Sequence, residues 1–130
     1  IILAAFLSII TIISAREKAV AHMIVHSHVD AGWVRTFENV YKKTGSPILE
    51  TVTNALFGDP ELRFNWADHI FLERWWQDAS EDMKFKFRAV LERGQLQIVH
   101  PGFVMADEAV VAYYEAMENF EVGLHFLLDT

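Results

Sequence analysis

Apolar positions in this chain follow two patterns, short runs typical of strands and longer stretches with helical spacing. Residues 19–25 are apolar except for one histidine, which is typical of a buried strand in a parallel sheet. Residues 63–67 and 95–99 are short segments in which polar and apolar side chains alternate. The pattern therefore predicts three strands, one near the start of the chain and two further along.

The first two predicted helices lie between the first and second strands. A short helix over residues 36–43 is expected to stop at Gly45, because glycine commonly ends a helix. Ser46 then has the side chain of an N-cap, and Pro47 suits the first turn of a second helix. This second helix is expected to end at Gly58. The sequence thus predicts two separate helices with a break between them.

Three more helices are predicted after the second strand. One covers residues 70–77, and the next begins at the N-cap Ser80 and ends at Gly94. The last covers residues 109–128 and carries an apolar stripe typical of a surface that faces a core. The stripe consists of Val110, Tyr113, Met117, Phe120, Leu124 and Leu127.

Alternation of strands and helices predicts an α/β fold with a parallel sheet and right-handed connections. Polar residues follow each predicted strand: His28 and Asp30 the first, Asp68 the second and Asp107 the third. In α/β folds, functional sites collect at the carboxyl ends of the strands. The sequence therefore predicts a site built from the residues that follow these three strands.

A stretch rich in candidate chemistry follows the first strand: residues 26–33, HSHVDAGW. Side chains of an extended chain alternate between faces, so His26, His28 and Asp30 are expected on one face. Imidazole and carboxylate groups are ordinary zinc ligands. Trp33 adds a large flat surface beside this polar group. The stretch is a candidate metal site with an aromatic wall.

The longer string resembles the opening motif of the glycoside hydrolase family 38 α-mannosidases. Within that family it is most similar to the Golgi α-mannosidase II branch, which has HSHNDPGW. The similarity continues in order through FNWA, ERWW, GQL and VMADEA, and covers nearly everything from about residue 22 onward. The resemblance implies that the chain is an N-terminal fragment of the catalytic domain. It also implies a seven-stranded parallel α/β barrel, of which this incomplete chain supplies the first βα units.

The resemblance further implies a zinc-dependent, retaining α-mannosidase that acts on mannose residues of N-linked glycans. His28 and Asp30 are implied to bind Zn²⁺, and Trp33 is implied to lie against the sugar. His26 and Asp107 are expected to support these residues through hydrogen bonds or local architecture. The family's nucleophile and general acid lie in later strings, so no catalytic residue is expected before Thr130.

Composition limits the partners and suggests how the chain is divided. Residues 1–15 are apolar apart from Ser and Thr, so residues 1–18 are interpreted as a signal peptide or membrane anchor. Residues 19–130 are then the start of the glycosidase domain, and the motif resemblance favours the Golgi membrane over the lysosome or secretion. A net charge of −7 without a basic patch makes nucleic acid an unexpected partner. The chain has no Cys, which excludes a thiolate metal site.

Two other functions stay open at the level of sequence. A His-x-His-x-Asp spacing also occurs in dinuclear metal hydrolases, although one such class expects a further histidine where Ala31 stands. A truncated or decayed product that binds sugar weakly, or not at all, is the second alternative. Val29 and Ala31 replace the usual Asn and Pro of the family motif, and Pro101 and Phe103 replace the usual Gly and Trp.

Overall fold

The computed structural model describes residues 19–107 and 112–129 of the chain. The predicted signal or anchor segment, residues 1–18, lies outside the described residues. The elements in order are α1 (Phe37–Val40), a π-helical turn (Tyr41–Gly45), α2 (Ser46–Gly58), β1 (Phe64–Trp66), α3 (His69–Asp78), α4 (Glu81–Glu92), β2 (Leu96–Ile98) and α5 (Tyr113–Asp129). Within the described ranges, every helix is too short or too polar to cross a membrane.

Strands β1 and β2 form a parallel two-stranded sheet, in which Phe64 pairs with Leu96 and Trp66 with Ile98. Helices α3 and α4 connect the two strands, as the α/β prediction requires. Both strands lie where the alternating pattern predicted them, and each is three residues long. The α/β class is therefore confirmed at this coarse level, whereas the seven-stranded barrel stays a prediction from the resemblance.

The predicted first strand, residues 19–25, is not a strand in the structure. The chain makes one parallel bridge with β1, between His26 and Asn65, and the Asn65 N–H donates to the carbonyl oxygen of Val25 at 2.9 Å. Met23 is 90% exposed and Ile24 is 72% exposed. The prediction of a buried strand was wrong, because the described residues leave this segment uncovered. The parallel direction of the single bridge agrees with the predicted sheet.

The predicted break between the first two helices is also wrong. Gly45 has helical dihedral angles, φ −58° and ψ −57°, and the helix passes through it without a cap. The Ser46 N–H donates to the carbonyl oxygen of Tyr41, five residues earlier, which is the bond of a π-helical turn. Pro47 cannot donate a backbone hydrogen bond, and the wider turn before it lets the helix continue.

The core lies between the continuous helix from Phe37 to Gly58, helices α3 and α4, and the sheet. Trp66, Phe71 and Val90 are completely buried, and Trp75 is nearly so. A Cβ on Gly45 would lie 2.8 Å from Cδ1 of Phe71, so the glycine lets α3 approach the π-helical turn closely. This packing anchors the junction between β1 and α3, where the candidate site begins.

The two predicted signals that bound α4 are confirmed. The Ser80 side chain accepts a hydrogen bond from the Met83 N–H at 3.3 Å, which is the contact of an N-cap. Gly94 has a φ of +66°, in the left-handed region that favours glycine after a helix. Strand β2 begins at Leu96, two residues after Gly94, so this cap lies just before the start of the strand.

Helix α5 packs through a different face from the predicted one. In the apolar stripe, Tyr113 is 81% exposed and Leu124 is 46% exposed, while Val110 lies outside the described residues. The packed face instead contains Gly123, where a Cβ would lie 2.6 Å from the backbone nitrogen of Phe103. The missing side chain lets α5 touch the backbone of the segment that follows β2. The expectation of a buried stripe was therefore wrong for Tyr113, Met117 and Leu124, whereas Phe120 and Leu127 are half-buried.

Candidate metal centre

Three side chains from two distant segments meet at one point: His28, Asp30 and Asp107. Nε2 of His28 lies 3.5 Å from Oδ1 of Asp30 and 3.1 Å from Oδ2 of Asp107. Each residue offers one ligand atom, and these atoms all lie within 4.8 Å of one another. One imidazole nitrogen with two carboxylate oxygens is a donor set that suits a divalent cation such as Zn²⁺. The residues present therefore fit the metal that the resemblance implies.

Alternation along the chain explains why His28 and Asp30 face the same way. Ser27 and Val29 are buried, so the side chains on either side of Val29 are directed outward into the cleft. His26 shares the exposed side, but its Nδ1 donates to the carbonyl oxygen of Ser27 at 2.9 Å, and it is not one of the three grouped residues. A dinuclear centre would need both histidines, so this geometry favours a single metal position. The supporting role of His26 stays a prediction.

Asp107 lies closer to His28 than its predicted supporting role required. The two residues are 79 positions apart in sequence, and their side chains form a hydrogen bond. Asp107 follows β2 along the chain, whereas His28 and Asp30 follow the segment that bridges to β1. The expectation that polar residues after neighbouring strands converge is met by these three side chains.

The same residues line an open cleft with a volume of about 210 Å³. Trp33 also lines it, with 75% of its surface exposed. An exposed indole beside the grouped polar residues offers a flat apolar face to a ligand. Trp33 thus lines the same cleft as His28 and Asp30, and its contact with a sugar stays a prediction.

Asp68 also lines this cleft, at the junction of β1 and α3. Its side chain is buried, and Oδ2 accepts a hydrogen bond from the Val29 N–H at 3.3 Å. Burial raises the pKa of Asp68 to about 6, while hydrogen bonds from the backbone of Val29 and Met105 oppose the rise. From the sequence, Asp68 was only a polar residue after a strand. Its contacts with backbone groups left no pattern that could have shown more.

His69, the next residue, is completely buried at the start of α3. Burial, with a smaller contribution from the nearby His100, lowers the pKa of His69 to about 4. Its ring lies 6.4 Å from the ring of Phe126 on α5, measured between centroids. His69 therefore remains neutral at neutral pH and packs as a core residue.

Asn119 of α5 fixes the segment that leads to Asp107. Its side-chain amide makes hydrogen bonds to both backbone groups of Val104, accepting from the N–H at 2.9 Å and donating to the carbonyl oxygen at 2.8 Å. The Phe103 N–H donates to the Asn119 carbonyl oxygen at 3.0 Å. The sequence analysis missed this residue, because Asn119 lies among the polar residues Glu118 and Glu121 of the same helix and nothing in the pattern distinguishes it.

Replacing Asn119 with alanine is expected to lower the free energy of unfolding by about 1–3 kcal/mol, since two backbone groups of Val104 lose their partners. Urea denaturation of the full chain measures the change. Glu118→Ala is the matched control, because Glu118 is exposed on the same helix. Equal stabilities of the two variants would show that the Asn119 contacts contribute nothing.

Comparison with known proteins gives one family. Residues 18–130 match the family model described as glycosyl hydrolases family 38 N-terminal domain. Alpha-mannosidase 2 of Arabidopsis thaliana is 37% identical over 115 residues, which are 88% of this chain and 10% of that protein. Alpha-mannosidase B of Dictyostelium discoideum is 36% identical over 107 residues, covering 82% of this chain and 10% of that protein. Lysosomal alpha-mannosidase of Cavia porcellus is 32% identical over 117 residues, covering 84% of this chain and 12% of that protein.

The chain spans about a tenth of the length of these curated relatives. Within that span, the strings that carried the resemblance lie at structurally important places. HSHVDAGW contains His28 and Asp30, FNWA contains β1, and the segment VMAD ends at Asp107. The match over residues 18–130 confirms the resemblance drawn from these motifs. The chain therefore belongs to glycosyl hydrolase family 38, and its match lies in the N-terminal domain of that family.

Proposed function

We propose that this chain is part of a zinc-dependent, retaining α-mannosidase that removes mannose residues from N-linked glycans. The observation that carries the proposal is the convergence of His28, Asp30 and Asp107 in a cleft beside Trp33. The family 38 match and relatives named as α-mannosidases supply the substrate class. The requirement for zinc and the retention of anomeric configuration are the finer parts of the proposal, and both come from the family resemblance.

In this proposal, His28 and Asp30 bind the zinc ion. When bound, zinc supplies a Lewis acid that orients the hydroxyl groups of the mannose residue to be released. Trp33 lies in the same cleft and stacks on the less polar face of the sugar. Asp107 hydrogen-bonds to His28 and adds a second negative charge near the metal position. The chain's own residues thus hold and orient the sugar.

The two carboxylates of the cleft do not suit the double displacement itself. A retaining glycosidase needs a nucleophile and an acid on opposite sides of the bond that breaks. Asp30 and Asp107 both approach the same nitrogen of His28, so their oxygen atoms are grouped together rather than separated by room for a sugar. The nucleophile and general acid are therefore proposed to come from other parts of a family 38 enzyme.

The test compares this chain with the longest protein that its gene encodes. The longer protein is expected to release nitrophenol from 4-nitrophenyl α-mannoside and to lose that activity with a chelator or with His28→Ala. The 130-residue chain alone is expected to release none. Metal-independent hydrolysis would contradict the zinc proposal. Zinc-dependent turnover by this chain alone, above a His28→Ala control, would contradict the assignment of the nucleophile and acid elsewhere.

We also propose a location in the secretory pathway, at the Golgi membrane. The proposal rests on the apolar pattern of residues 1–15 and on relatives that include alpha-mannosidase 2 and lysosomal alpha-mannosidase. The motif similarity to the Golgi branch favours that membrane. Imaging of a tagged protein against Golgi and lysosomal markers checks it, and a lysosomal pattern would contradict it.

A further inference from the structure

One buried carboxylate connects the two backbone segments that carry the grouped side chains. Asp68 is 2% exposed, and its Oδ2 accepts a hydrogen bond from the Val29 N–H at 3.3 Å. The backbone of Met105 also lies close enough to this carboxylate to lower its pKa, and Met105 and Asp68 line the same cleft. Val29 lies between the two proposed zinc ligands, and Met105 lies two residues before Asp107. A single side chain is therefore hydrogen-bonded to the first segment of the centre and lies beside the second.

Asp68 is itself held by the core rather than by the cleft. Its backbone carbonyl oxygen accepts a hydrogen bond from Nε1 of Trp66 at 2.9 Å and from the Phe71 N–H at 3.2 Å. Trp66 and Phe71 are both completely buried. The carboxylate is thus a fixed point whose position depends on β1 and α3, not on the segments that it binds.

The backbone segment that carries His28 and Asp30 is not held by secondary structure of its own. Residues 27–35 form neither helix nor strand, so the regular hydrogen bonds of secondary structure do not hold His28 and Asp30. Their side chains are 44% and 45% exposed. Metal affinity depends on ligands that are already in place, and groups that hydrogen-bond around a site typically contribute 10–100-fold to affinity. A buried acceptor beneath the ligand segment is placed to make that contribution.

We propose that Asp68 is a positioning residue that holds the His28–Asp30 segment and the Asp107 segment at the spacing a metal ion requires. The proposal rests on the metal centre proposed above. Asp68 does not bind the metal in this account. It accepts a hydrogen bond from the Val29 N–H and lies beside the backbone of Met105, and these contacts fix where the ligand side chains start.

The experiment compares Asp68→Asn with Asp59→Asn in the full chain. Asparagine keeps the size of Asp68 but removes its negative charge and replaces one acceptor oxygen with an NH₂ group, so its interactions with the backbone of Val29 and Met105 weaken. Asp59 is an exposed control that loses the same charge, and its Oδ1 accepts only a local bond from the Glu61 N–H. Zinc affinity is measured by competition with a chromophoric chelator. Asp68→Asn is expected to weaken zinc binding by about 10–100-fold, and Asp59→Asn to leave it unchanged.

Two further measurements separate positioning from a general loss of stability. At saturating Co²⁺, the visible absorption spectrum of Asp68→Asn is expected to differ from that of the unaltered chain, since the ligand geometry changes. Without metal, amide hydrogen exchange at Val29 and Met105 is expected to accelerate, while exchange at Val99, whose N–H bonds to Trp66, is unchanged. Unchanged exchange at both amides overturns the proposal. Faster exchange with unchanged zinc affinity and cobalt spectrum also overturns it.

Zinc binding by the unaltered chain tests the metal centre separately from the role of Asp68. If the unaltered chain binds no zinc, the proposed centre is wrong whatever Asp68 does. The exchange rates of Val29 and Met105 then decide alone whether Asp68 holds the two segments together. If zinc binds and both variants bind it equally, the centre stands and the role of Asp68 is overturned.

Discussion

Replacing His28 with alanine is expected to lower the zinc affinity of this chain by more than about 100-fold, a larger loss than the removal of an outer hydrogen bond produces. His28 supplies the only imidazole nitrogen of the grouped residues, and its Nε2 lies within 3.5 Å of both carboxylates. Without it, two carboxylate oxygens remain, a set that suits Mg²⁺ or Ca²⁺ better than Zn²⁺. Competition with a chromophoric chelator measures the loss.

A second histidine provides the matched control for this experiment. His125 is exposed on α5 and is not among the cleft residues, so His125→Ala removes the same side chain without touching the centre. Asp30→Asn keeps the size of Asp30 and removes its charge, and it should weaken zinc binding as well. Equal affinities of His28→Ala and His125→Ala would remove His28 from the metal centre.

The stability of the metal-free chain is expected to receive two opposite contributions as the pH falls from 6.5 to 4. His69 has a folded pKa of about 4, below its ordinary value of 6.5, so the unfolded chain takes up its proton first and stability falls. Asp68 has a folded pKa of about 6, above its ordinary value of 3.8, so the folded chain takes up its proton first and stability rises. Each contribution reaches about 3 kcal/mol at most, and the two largely offset one another.

Single substitutions at these two buried residues separate the contributions. The Asp68→Asn variant lacks the gain in stability that protonation of Asp68 supplies. Acidification from pH 7 to 4.5 should therefore destabilise this variant more than the unaltered chain. The His69→Gln variant lacks the loss of stability that protonation of His69 in the unfolded chain causes. The same acidification should therefore increase the stability of this variant relative to the unaltered chain. Urea denaturation with a chelator present gives the free energies of unfolding, and Asp59→Asn is the control. Curves that stay parallel across this pH range would contradict both assignments.

The parts of the fold that the sequence predicted correctly depend on local signals. Ser80 caps a helix through a residue three positions away, and Gly94 adopts a backbone angle that its own lack of a side chain permits. The three-residue strands β1 and β2 lie inside predicted segments that alternate over their own length. Such signals need nothing from distant parts of the chain.

The wrong predictions concern contacts that a linear pattern does not contain. Residues 19–25 have the composition of a buried strand, but burial depends on what lies opposite them. Gly45 looked like a helix end, whereas its role is to let Phe71 approach. The stripe on α5 showed which side chains are apolar, not which face would meet the backbone near Phe103.

The same difference between local signals and distant contacts applies to the residues of the candidate site. His28 and Asp30 could be predicted because both lie in one extended stretch and alternate with buried residues. The contributions of Asp68 and Asn119 could not, because each binds backbone N–H or C=O groups, which every residue type offers. The sequence therefore predicts the groups that meet a ligand better than the groups that hold them.

The contacts that build the centre span very different lengths of chain. Asn119 and Val104 are 15 residues apart, Val29 and Asp68 are 39 apart, and His28 and Asp107 are 79 apart. Because the entropic cost of closing a loop rises with its length, we expect the Asn119 contact to form early in folding and the His28–Asp107 contact last. Zinc would then meet a chain that has already folded. Its binding would slow unfolding and leave the rate of refolding unchanged, since the centre is absent from the transition state.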